Sequence, residues 1–429
     1  LTLTGGGTLV NSNSLTLDHP ASVLKLDGLA QVSQVAVTDN LTEGKLVVTQ
    51  PAVIETLFHS GSSRIALAEG VGLSVNEAFE VPVGQSLELI GTGGFLSLDD
   101  TLTLSGTLKF SAPENTLNGG NLLLNGGKLN VDENAAIASD LANQADSTVD
   151  VLFGKTLSYS GGALHIGSHA LTLTGGGTLT NSNELVLNDP DSVLKLDGIS
   201  QISKVGVSGV LIGGKLSVAQ NALIGALSHS GSSRLDLADG VHLSVDEAFE
   251  VPVTRLMELI GTGGTLTLNE TLTLSGTLKF SAPGNTLDNG TLILTGGSVQ
   301  RWEGKNLVSI SEVAYILVDD NTTIASDIRH LSDSTVSVGS GKTLTYTGAE
   351  LEIGARTLTL TGGGTFENTD NLTLDDPTSV LKLAGIVQVS KVAVTADNLT
   401  DGVLEVDGDT IIQTLLQLGS SRLDIANGK

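Results

Sequence analysis

Histidine has the widest chemical repertoire of the residue types in this chain, because it ligates metals and moves protons near neutral pH. The seven histidines are His19, His59, His165, His169, His229, His242 and His330. His165 and His169 stand four residues apart, but in an extended chain that spacing does not make the paired ligands of a metalloprotease helix. His59 and His229 occupy equivalent places in a long internal repeat, whereas Gln417 occupies the third. The pattern predicts surface histidines rather than a metal or catalytic centre.

Adjacent carboxylates are the second group with chemical potential, since such groups can bind calcium or act as acid and base on a sugar. They occur at Asp99-Asp100, Asp319-Asp320 and Asp375-Asp376. Neighbouring residues of a strand point to opposite faces, so adjacent carboxylates do not converge on one ligand. Asp375 also aligns with Asp18 and Asn188, so the charge is not required at that position of the repeat. We expect solvated corners and no cofactor beyond weakly bound Ca²⁺.

An arginine recurs after the phrase Gly-Ser-Ser, at Arg64, Arg234 and Arg422. Such an arginine can bind an anionic sugar, or it can cap a corner and pair with a nearby acid. The acid two residues further on is Asp236 or Asp424, but Ala66 in the first copy. We predict a structural role for the arginine, because a solvated arginine is the usual case.

The segment that departs most from the surrounding repetition is 298–318, which contains Arg301, Trp302 and Tyr315. Trp302 is the only tryptophan of the chain. An aromatic ring can stack on a sugar or anchor a protein partner, and the alternative is that Trp302 plugs a corner of the core. We predict that these three residues contact a ligand or a partner.

The composition limits what kind of structure can position these residues. The chain has 429 residues, with 53 Gly, 8 Pro, no Cys and 40% hydrophobic residues, so an aliphatic core is possible and disulfides are not. Its net charge is −26, which argues against nucleic acid as a partner and against docking on anionic lipid. No stretch approaches the roughly 18 apolar residues needed to cross a bilayer, so we expect no membrane insertion by this segment.

One short phrase is stated three times. LTLTGGGTL at 1–9 returns at 171–179 and, as LTLTGGGTF, at 358–366. The alternation of Leu and Thr is typical of a strand with one buried face, and the glycines permit a sharp corner. Phrases such as SGSSR and LTLSGTLKFSAP keep the offset of 170, so a long repeat underlies the chain.

The offset then changes, because IASD at 137–140 matches IASD at 324–327 at a distance of 187. Seventeen residues are therefore inserted within 298–318. Strand-like triplets follow one another every six or seven residues, and three of them make a coil of roughly 17–20 residues, the period class of a β-helix. The insertion is then about one extra coil, which a solenoid accommodates without disturbing its neighbours.

We therefore predict an all-β fold, a parallel β-helix or β-solenoid with about three short strands per coil and right-handed coiling. The prediction is one continuous solenoid over 1–429. Its long repeats are 1–170, 171–357 with one extra coil, and a partial copy at 358–429. A β-sandwich array is the competing fold, but it favours two-residue turns between longer strands.

Phrases such as LTLTGGGTLTNSNELVLND (171–189) and TLTLSGTLKFSAPENTLNGGNLLLNGGKL (101–129) resemble the β-helical passenger regions of bacterial autotransporters. They are also similar to filamentous-haemagglutinin-like and other very large adhesins. The resemblance implies a bacterial, extracellular or cell-surface location and a role in adhesion or surface structure, with no catalytic residue.

The expected function is therefore that of a non-enzymatic structural or adhesive fibre segment such as a stalk, a filament or a matrix protein. Partners would be other copies, associating end to end or laterally, and cell-surface glycans or proteins. Both termini interrupt a repeat without a cap, which favours a segment of a longer fibre. The alternatives are a polysaccharide-degrading β-helix enzyme, a carbohydrate-binding tailspike-like protein and, less directly, an ice-binding solenoid.

Overall fold

The residues described by the computed structural model are 1–303, 306–396, 402–420 and 422–426. Of 297–303 and 306–312 the backbone alone is described. Over the described residues the chain is all-β, without a helix, and forms a parallel β-solenoid of about 18 turns with about three strands per turn. This confirms the predicted all-β parallel solenoid with about three strands per coil. The solenoid comprises two compact units, Leu1–Val205 and Gly206–Lys429.

The alternation of apolar and polar residues determines which side chains fill the core. In the strand Thr101–Leu104 both leucines are buried and both threonines lie at the surface. Leu102 is the register partner of Leu122 in the next coil, and Leu104 is the partner of Leu124. Buried leucines therefore stack in columns along the solenoid. Full burial of one such side chain contributes roughly 2 kcal/mol, so these columns are the main source of stability.

In the first unit, each coil contributes strands to up to three sides, which we call sides 1, 2 and 3. The strands of side 1 are Thr2–Thr4, Val23–Asp27, Lys45–Val48, Ser63–Leu67, Ser86–Leu89, Thr107–Phe110, Lys128–Val131, Ser147–Val151, Ala170–Thr174 and Val193–Asp197. Those of side 2 are Thr8–Leu9, Gln31–Val37, Ala52–His59, Gly72–Val75, Phe95–Leu98, Asn115–Asn118, Ala135–Ile137, Thr156–Tyr159, Thr178–Asn181 and Gln201–Val207. Those of side 3 are Leu15–Leu17, Phe79–Val81, Thr101–Leu104, Asn121–Leu124, Asp140–Asn143, Leu164–His165 and Leu185–Leu187.

The second unit repeats this arrangement. Its side 1 strands are Lys215–Val218, Ser233–Leu237, Leu256–Leu259, Thr277–Phe280, Ala314–Val318, Ser334–Val338, Thr357–Thr361, Val380–Ala384, Val403–Val406 and Leu423–Ile425. Its side 2 strands are Ala222–His229, His242–Val245, Thr265–Leu268, Thr286–Asp288, Thr322–Ile324, Thr343–Tyr346, Thr365–Asn368, Gln388–Val394 and Ile411–Gln417. Its side 3 strands are Phe249–Val251, Thr271–Leu274, Thr291–Leu294, Asp327–His330, Leu351–Glu352 and Leu372–Leu374.

Some long strands cover two sides at once. Gln31–Val37 pairs through its first residues with Thr8–Leu9 and through its last residues with Leu15–Leu17. Coil length also varies: the register partners Leu46 and Ile65 are 19 residues apart, whereas Ser63 and Leu87 are 24 apart. The chain consequently makes about 18 turns, where a uniform 19-residue coil predicts about 22.

The inserted residues form a β-hairpin, not an additional coil. Gly297–Glu303 pairs antiparallel with Asn306–Glu312, and within the described part of the chain neither strand pairs with any other. Thr277–Phe280 pairs directly with Ala314–Val318, so the flanking coils remain neighbours. The predicted extra coil within 298–318 is therefore wrong. A parallel coil would have to separate these two strands, whereas a hairpin satisfies its backbone hydrogen bonds locally and leaves their ladder intact.

In the copies of LTLTGGG at 171–177 and 358–364, the glycines form a corner with no room for a larger residue. Gly175 has a φ of +97°, in the left-handed region that favours glycine. A Cβ on Gly175 would lie 2.3 Å from the carbonyl oxygen of Val151 in the preceding coil. The phrase thus serves the close stacking of successive corners.

Buried polar side chains connect other corners. The Tyr159 hydroxyl donates to the Gly162 carbonyl at 2.7 Å and accepts from the Leu141 amide at 3.2 Å. Asn181 Nδ2 donates to the Lys204 carbonyl of the next coil at 2.7 Å. These side chains satisfy backbone groups that the strand ladders leave unpaired at the bends.

Candidate functional site

Of the three predicted contact residues, Tyr315 alone has a described side chain. It lies half-buried at the surface of Ala314–Val318 on side 1, paired with Thr277 before it and Thr335 after it. The side chains of Arg301 and Trp302 lie outside the described residues. Their backbones belong to the hairpin, where Trp302 is opposite Leu307. The structure therefore places Tyr315 on the strand that follows the hairpin, and the predicted contact role stays a prediction.

A charged groove on side 3 of the second unit is the most distinctive site among the described residues. Its ionisable lining residues are Asp327, Arg329, His330, Glu350, Glu352 and Asp375. Three successive coils supply them, because Asp327–His330, Leu351–Glu352 and Leu372–Leu374 follow one another along side 3. Such stacking brings together residues that are more than 40 positions apart in the chain.

Two carboxylates of the charged groove are anchored by backbone amides of neighbouring coils. Asp327 accepts a hydrogen bond from the Ala349 amide at 2.9 Å, and Asp375 accepts one from the Gly354 amide at 2.7 Å. Glu350 accepts a hydrogen bond from the Thr373 hydroxyl. These contacts fix the positions of three negative groups along the groove.

The other charged groups of the groove are less constrained. Arg329 and Glu352 are both exposed and form no ion pair with any described residue. His330 is buried, and its Nδ1 lies 2.9 Å from the Ile353 carbonyl. Burial lowers the pKa of His330, more than the hydrogen bond to Ile353 raises it. The groove thus presents exposed charges of both signs above a buried imidazole.

The preceding copy of the repeat has the same backbone without these charges. At the offset of 187, the residues aligned with Arg329, His330, Glu350, Glu352 and Asp375 are Ala142, Asn143, Ala163, His165 and Asn188. Asn143 Nδ2 donates to the Ile166 carbonyl at 3.2 Å, as His330 contacts Ile353. This part of the fold therefore does not depend on these charges. Sequence reasoning missed the groove, although comparing GALHIGSHA with GAELEIGART at this offset would have revealed it.

The groove can form hydrogen bonds and electrostatic contacts with a polar ligand. Carboxylates accept hydrogen bonds from hydroxyl and ammonium groups, and a guanidinium donates several in a fixed fork. Within the described ranges, no group of three or more His, Asp or Glu side chains is arranged to hold a metal ion.

The prediction of surface histidines is wrong for His59, His229 and His330, which are all buried. His59 and His229 lie at equivalent corners. His59 Nε2 lies 2.7 Å from Ser63 Oγ, and His229 Nε2 lies 2.7 Å from Ser233 Oγ. Burial lowers the pKa of each histidine to about 4. Both serines are buried as well, so these pairs do not present a nucleophile to a substrate. The polar sequence SGSS that follows each histidine suggested an exposed turn, whereas the strand that each histidine ends is directed into the core.

Two of the three recurrent arginines, Arg64 and Arg234, form ion pairs as a structural role predicts, but with a different partner. Arg64 Nε lies 3.1 Å from Glu88 Oε2, and Arg234 Nε lies 3.3 Å from Glu258 Oε2, each on the next coil. Asp236, the partner considered from sequence, instead contacts Lys215 at 2.5 Å. Each glutamate is the register partner of its arginine on the next coil, which brings the two side chains together.

The adjacent carboxylates Asp319 and Asp320 each form an ion pair, and they do not share a partner. Asp319 contacts Lys279 at 3.2 Å, and Asp320 contacts Lys342 at 2.8 Å. The two aspartates therefore point to different lysines, one in the strand Thr277–Phe280 and the other just before the strand Thr343–Tyr346. This agrees with the expectation that neighbouring residues diverge.

Comparisons with known proteins identify no family for this chain. Across the described residues, no helix has the length and apolar character needed to cross a membrane. The chain matches no protein-family model, and the comparisons with curated proteins and with solved structures find no match.

Proposed function

We propose that this chain is a non-enzymatic structural and adhesive segment of an extracellular, cell-surface fibre. The observation that carries the proposal is a ladder of ion pairs that the long repeat builds twice on side 1. In the first copy Arg64, Glu88, Lys109 and Asp132 contact one another in sequence along four coils. Repetition of a whole outer surface favours length and regularity over a unique reactive site.

The second copy reproduces this ladder around the hairpin. Arg234 contacts Glu258 at 3.3 Å, Lys279 contacts Glu258 at 3.2 Å, and Lys279 contacts Asp319 at 3.2 Å. Asp319 aligns with Asp132 of the first copy once the seventeen inserted residues are removed from the alignment. The regular surface is thus retained while a new element is added, which supports a scaffold that displays contact elements.

The hairpin is the first of these elements. Its two strands pair only with each other among the described strands, so each has an edge open to pairing with another chain. Extended partner segments commonly dock on such edges by adding a strand. We propose that the hairpin, with Arg301 and Trp302, contacts a cell-surface glycan or protein, and that Tyr315 extends this contact.

The resemblance to autotransporter passengers and filamentous-haemagglutinin-like adhesins enters the proposal as its biological setting. Copies of the chain would associate end to end or laterally at a bacterial surface. The net charge of −26 supports this setting only in part, since it keeps isolated copies apart at low salt and is screened at high salt.

A deletion variant tests the proposal. Removing 298–314 joins Gly297 to Tyr315 and recreates the connection found at Gly127 and Lys128. The intact chain and the variant would be compared for retention on bacterial cells and on immobilised polysaccharides, and for self-association by sedimentation velocity. We expect the intact chain to be retained and the variant to lose retention while staying folded. An intact chain that neither adheres nor self-associates would contradict the proposal.

The charged groove favours a second candidate function, that of a carbohydrate-binding or carbohydrate-degrading site. Carboxylates and an arginine from adjacent coils are what the alternative of a β-helix enzyme predicts. The first copy suggests the substitutions for a test. Arg329→Ala, Glu350→Ala and Glu352→His each introduce the residue that the first copy has at the equivalent position. Binding to cationic, neutral and acidic polysaccharides should fall in these variants if the groove is a glycan site.

The same panel separates binding from catalysis. Release of reducing sugar by the intact chain, abolished by Glu352→Gln, would overturn the non-enzymatic proposal. Binding without release would support a glycan-binding groove on a structural scaffold.

A further inference from the structure

Two corners of the solenoid contain a buried histidine held against a buried serine. His59 ends the strand Ala52–His59, and Ser63 begins the strand Ser63–Leu67 after a three-residue turn. The pair His229 and Ser233 repeats this arrangement with the same Nε2 to Oγ distance of 2.7 Å. The histidines are 7% and 6% exposed, so water has little access to either ring.

The second ring nitrogen of each histidine makes no hydrogen bond with the described part of the chain, and the residue's own backbone raises the imidazole pKa less than burial lowers it. Nδ1 of His59 and Nδ1 of His229 are buried and lack a hydrogen bond to any described residue. A neutral imidazole tolerates this, because one ring nitrogen is then an acceptor without a proton. A protonated imidazole carries a donor on both nitrogens and a full charge, and burying such a group without an acceptor is strongly unfavourable.

The charged groups on the elements around His59 do not compensate that charge. Glu55 on the same strand accepts hydrogen bonds from Gln31 and Asn76, and Arg64 pairs with Glu88. Asp39, in the turn below Gly61, accepts from the Asn40 amide. Glu80 on the following coil accepts from Ser105. No carboxylate raises the pKa of His59.

The surroundings of His229 disfavour a protonated imidazole more than those of His59 do. Arg255 lies close enough to lower its pKa further, whereas the equivalent residue near His59 is Gln85. Arg234 is paired with Glu258, and Glu250 accepts a hydrogen bond from Ser275. The second corner therefore has the same design with one additional positive neighbour.

We propose that the two Ser–His corners are acid-triggered release points of the solenoid: protonation of His59 and His229 places a charged imidazole with an unpaired Nδ1–H inside the corner and opens the corner before side 1. The third copy of the repeat has Gln417 at the position of these histidines, so its corner has no imidazole to protonate. A fibre segment built this way keeps its coils closed near neutral pH and loosens at two defined points in acid.

The direction of the effect follows from the lowered pKa of each histidine. An unfolded histidine titrates near 6.5 and the folded one near 4, so stability is fully present above pH 6.5 and is lost as the pH falls towards 4. At pH 4 the folding equilibrium constant should fall by roughly a hundredfold for each histidine. Carboxylates also titrate near the lower end of this range, so the effect must be measured as a difference between variants.

The test compares the full chain with the double variant His59→Gln/His229→Gln, which installs the residue of the third copy at both corners. Urea unfolding midpoints would be followed from pH 7.5 to 4, with the exposed pair His19→Gln/His165→Gln as the control. We expect the unfolding midpoint of the chain and of the control to fall much more steeply below pH 6.5 than that of the double variant. Equal slopes in all three proteins would overturn the proposal.

A direct titration keeps the proposal testable if the double variant does not fold. The imidazole resonances of the chain would be followed by NMR on lowering the pH, and Arg255→Gln should shift the titration of His229 towards that of His59. Titration of both histidines near pH 6.5 in the folded chain would refute the proposal. Resistance to protonation until the corners open, at a pH near 4, would support it.

Discussion

Lys279 Nζ lies 3.2 Å from Asp319 Oδ2, although the whole hairpin stands between the two residues in the chain. The equivalent pair in the preceding copy, Lys109 and Asp132, is 2.9 Å apart without any insertion. The ion pair therefore spans the same neighbouring coils in both copies. This relationship shows that the hairpin is excluded from the coil and added at its corner.

Deletion of 298–314 should consequently leave the solenoid folded. The remaining chain joins Gly297 to Tyr315 as Gly127 is joined to Lys128, and the pairing of Thr277–Phe280 with the next coil is retained. We expect the free energy of unfolding to change by no more than about 1 kcal/mol, since each coil depends on its immediate neighbours. Circular dichroism and urea unfolding measure this, and loss of a cooperative transition would show that the hairpin supports the coil.

Gly91 should be among the positions least tolerant of substitution. A Cβ at Gly91 would lie 1.9 Å from the Leu67 carbonyl oxygen, so Gly91→Ala must displace the backbone of the preceding coil. We expect a loss of about 2–3 kcal/mol in the free energy of unfolding, the range typical of overpacking. Gly7→Ala is the matched control, because nothing lies within 4 Å of its Cβ position. Similar losses for both variants would refute the steric argument.

The hydroxyl of Tyr159 should contribute to stability, whereas that of Tyr315 should not. Tyr159→Phe removes the acceptor of the Leu141 amide and the donor to the Gly162 carbonyl, both at a buried bend. Leaving such groups unsatisfied costs about 1–3 kcal/mol. Thermal unfolding of Tyr159→Phe and of the surface control Tyr315→Phe would separate the two, and equal midpoints would contradict the assigned hydrogen bonds.

Glu88 should stabilise the ion-pair ladder modestly and in a salt-dependent way. It contacts Arg64 at 3.1 Å and accepts from Ser111 at 2.6 Å, but its partners are about one-third exposed. We expect Glu88→Ala to cost about 1 kcal/mol at low salt and less at high salt. Glu43→Ala, an exposed residue without an ion pair among the described side chains, should have no measurable effect.

The ladder also gives Glu88 a defined pH dependence. Burial raises the pKa of Glu88, but the hydrogen bonds from Ser111 and Arg64 outweigh burial, so the pKa lies below its ordinary value. The stabilisation is therefore complete above the unfolded pKa of roughly 4.5 and disappears as the pH falls through the folded pKa. The difference in unfolding midpoint between the chain and Glu88→Ala should shrink in this acid range, and a constant difference would show that the charge of Glu88 is not involved.

The strands and the core were predictable, because a period of two assigns inside and outside without any tertiary information. Leu102 and Leu104 are buried where the alternation places them. The hairpin was not predictable by the same means. A parallel coil and an antiparallel hairpin have the same period, and seventeen residues are enough for either. Only the continued pairing of Thr277 with Tyr315 distinguishes them.

The sites were harder to predict than the fold, since they depend on which coils are neighbours. Asp327 and Asp375 line one groove only because two coils of variable length bring them to the same side. His59 looked exposed because polar residues follow it, yet the strand it ends is buried. In both cases the missing information was the register between coils, which local composition does not contain.

The corner that carries the hairpin has a plain counterpart at Gly126 and Gly127, so one molecule preserves two versions of the same bend. The later version has seventeen additional residues, and the earlier one forms the equivalent coil without them. New surface features can therefore arise here by local insertion, without any compensating change among the stacked leucines. Comparing the two copies therefore separates the residues that build a coil from those that only add to its surface.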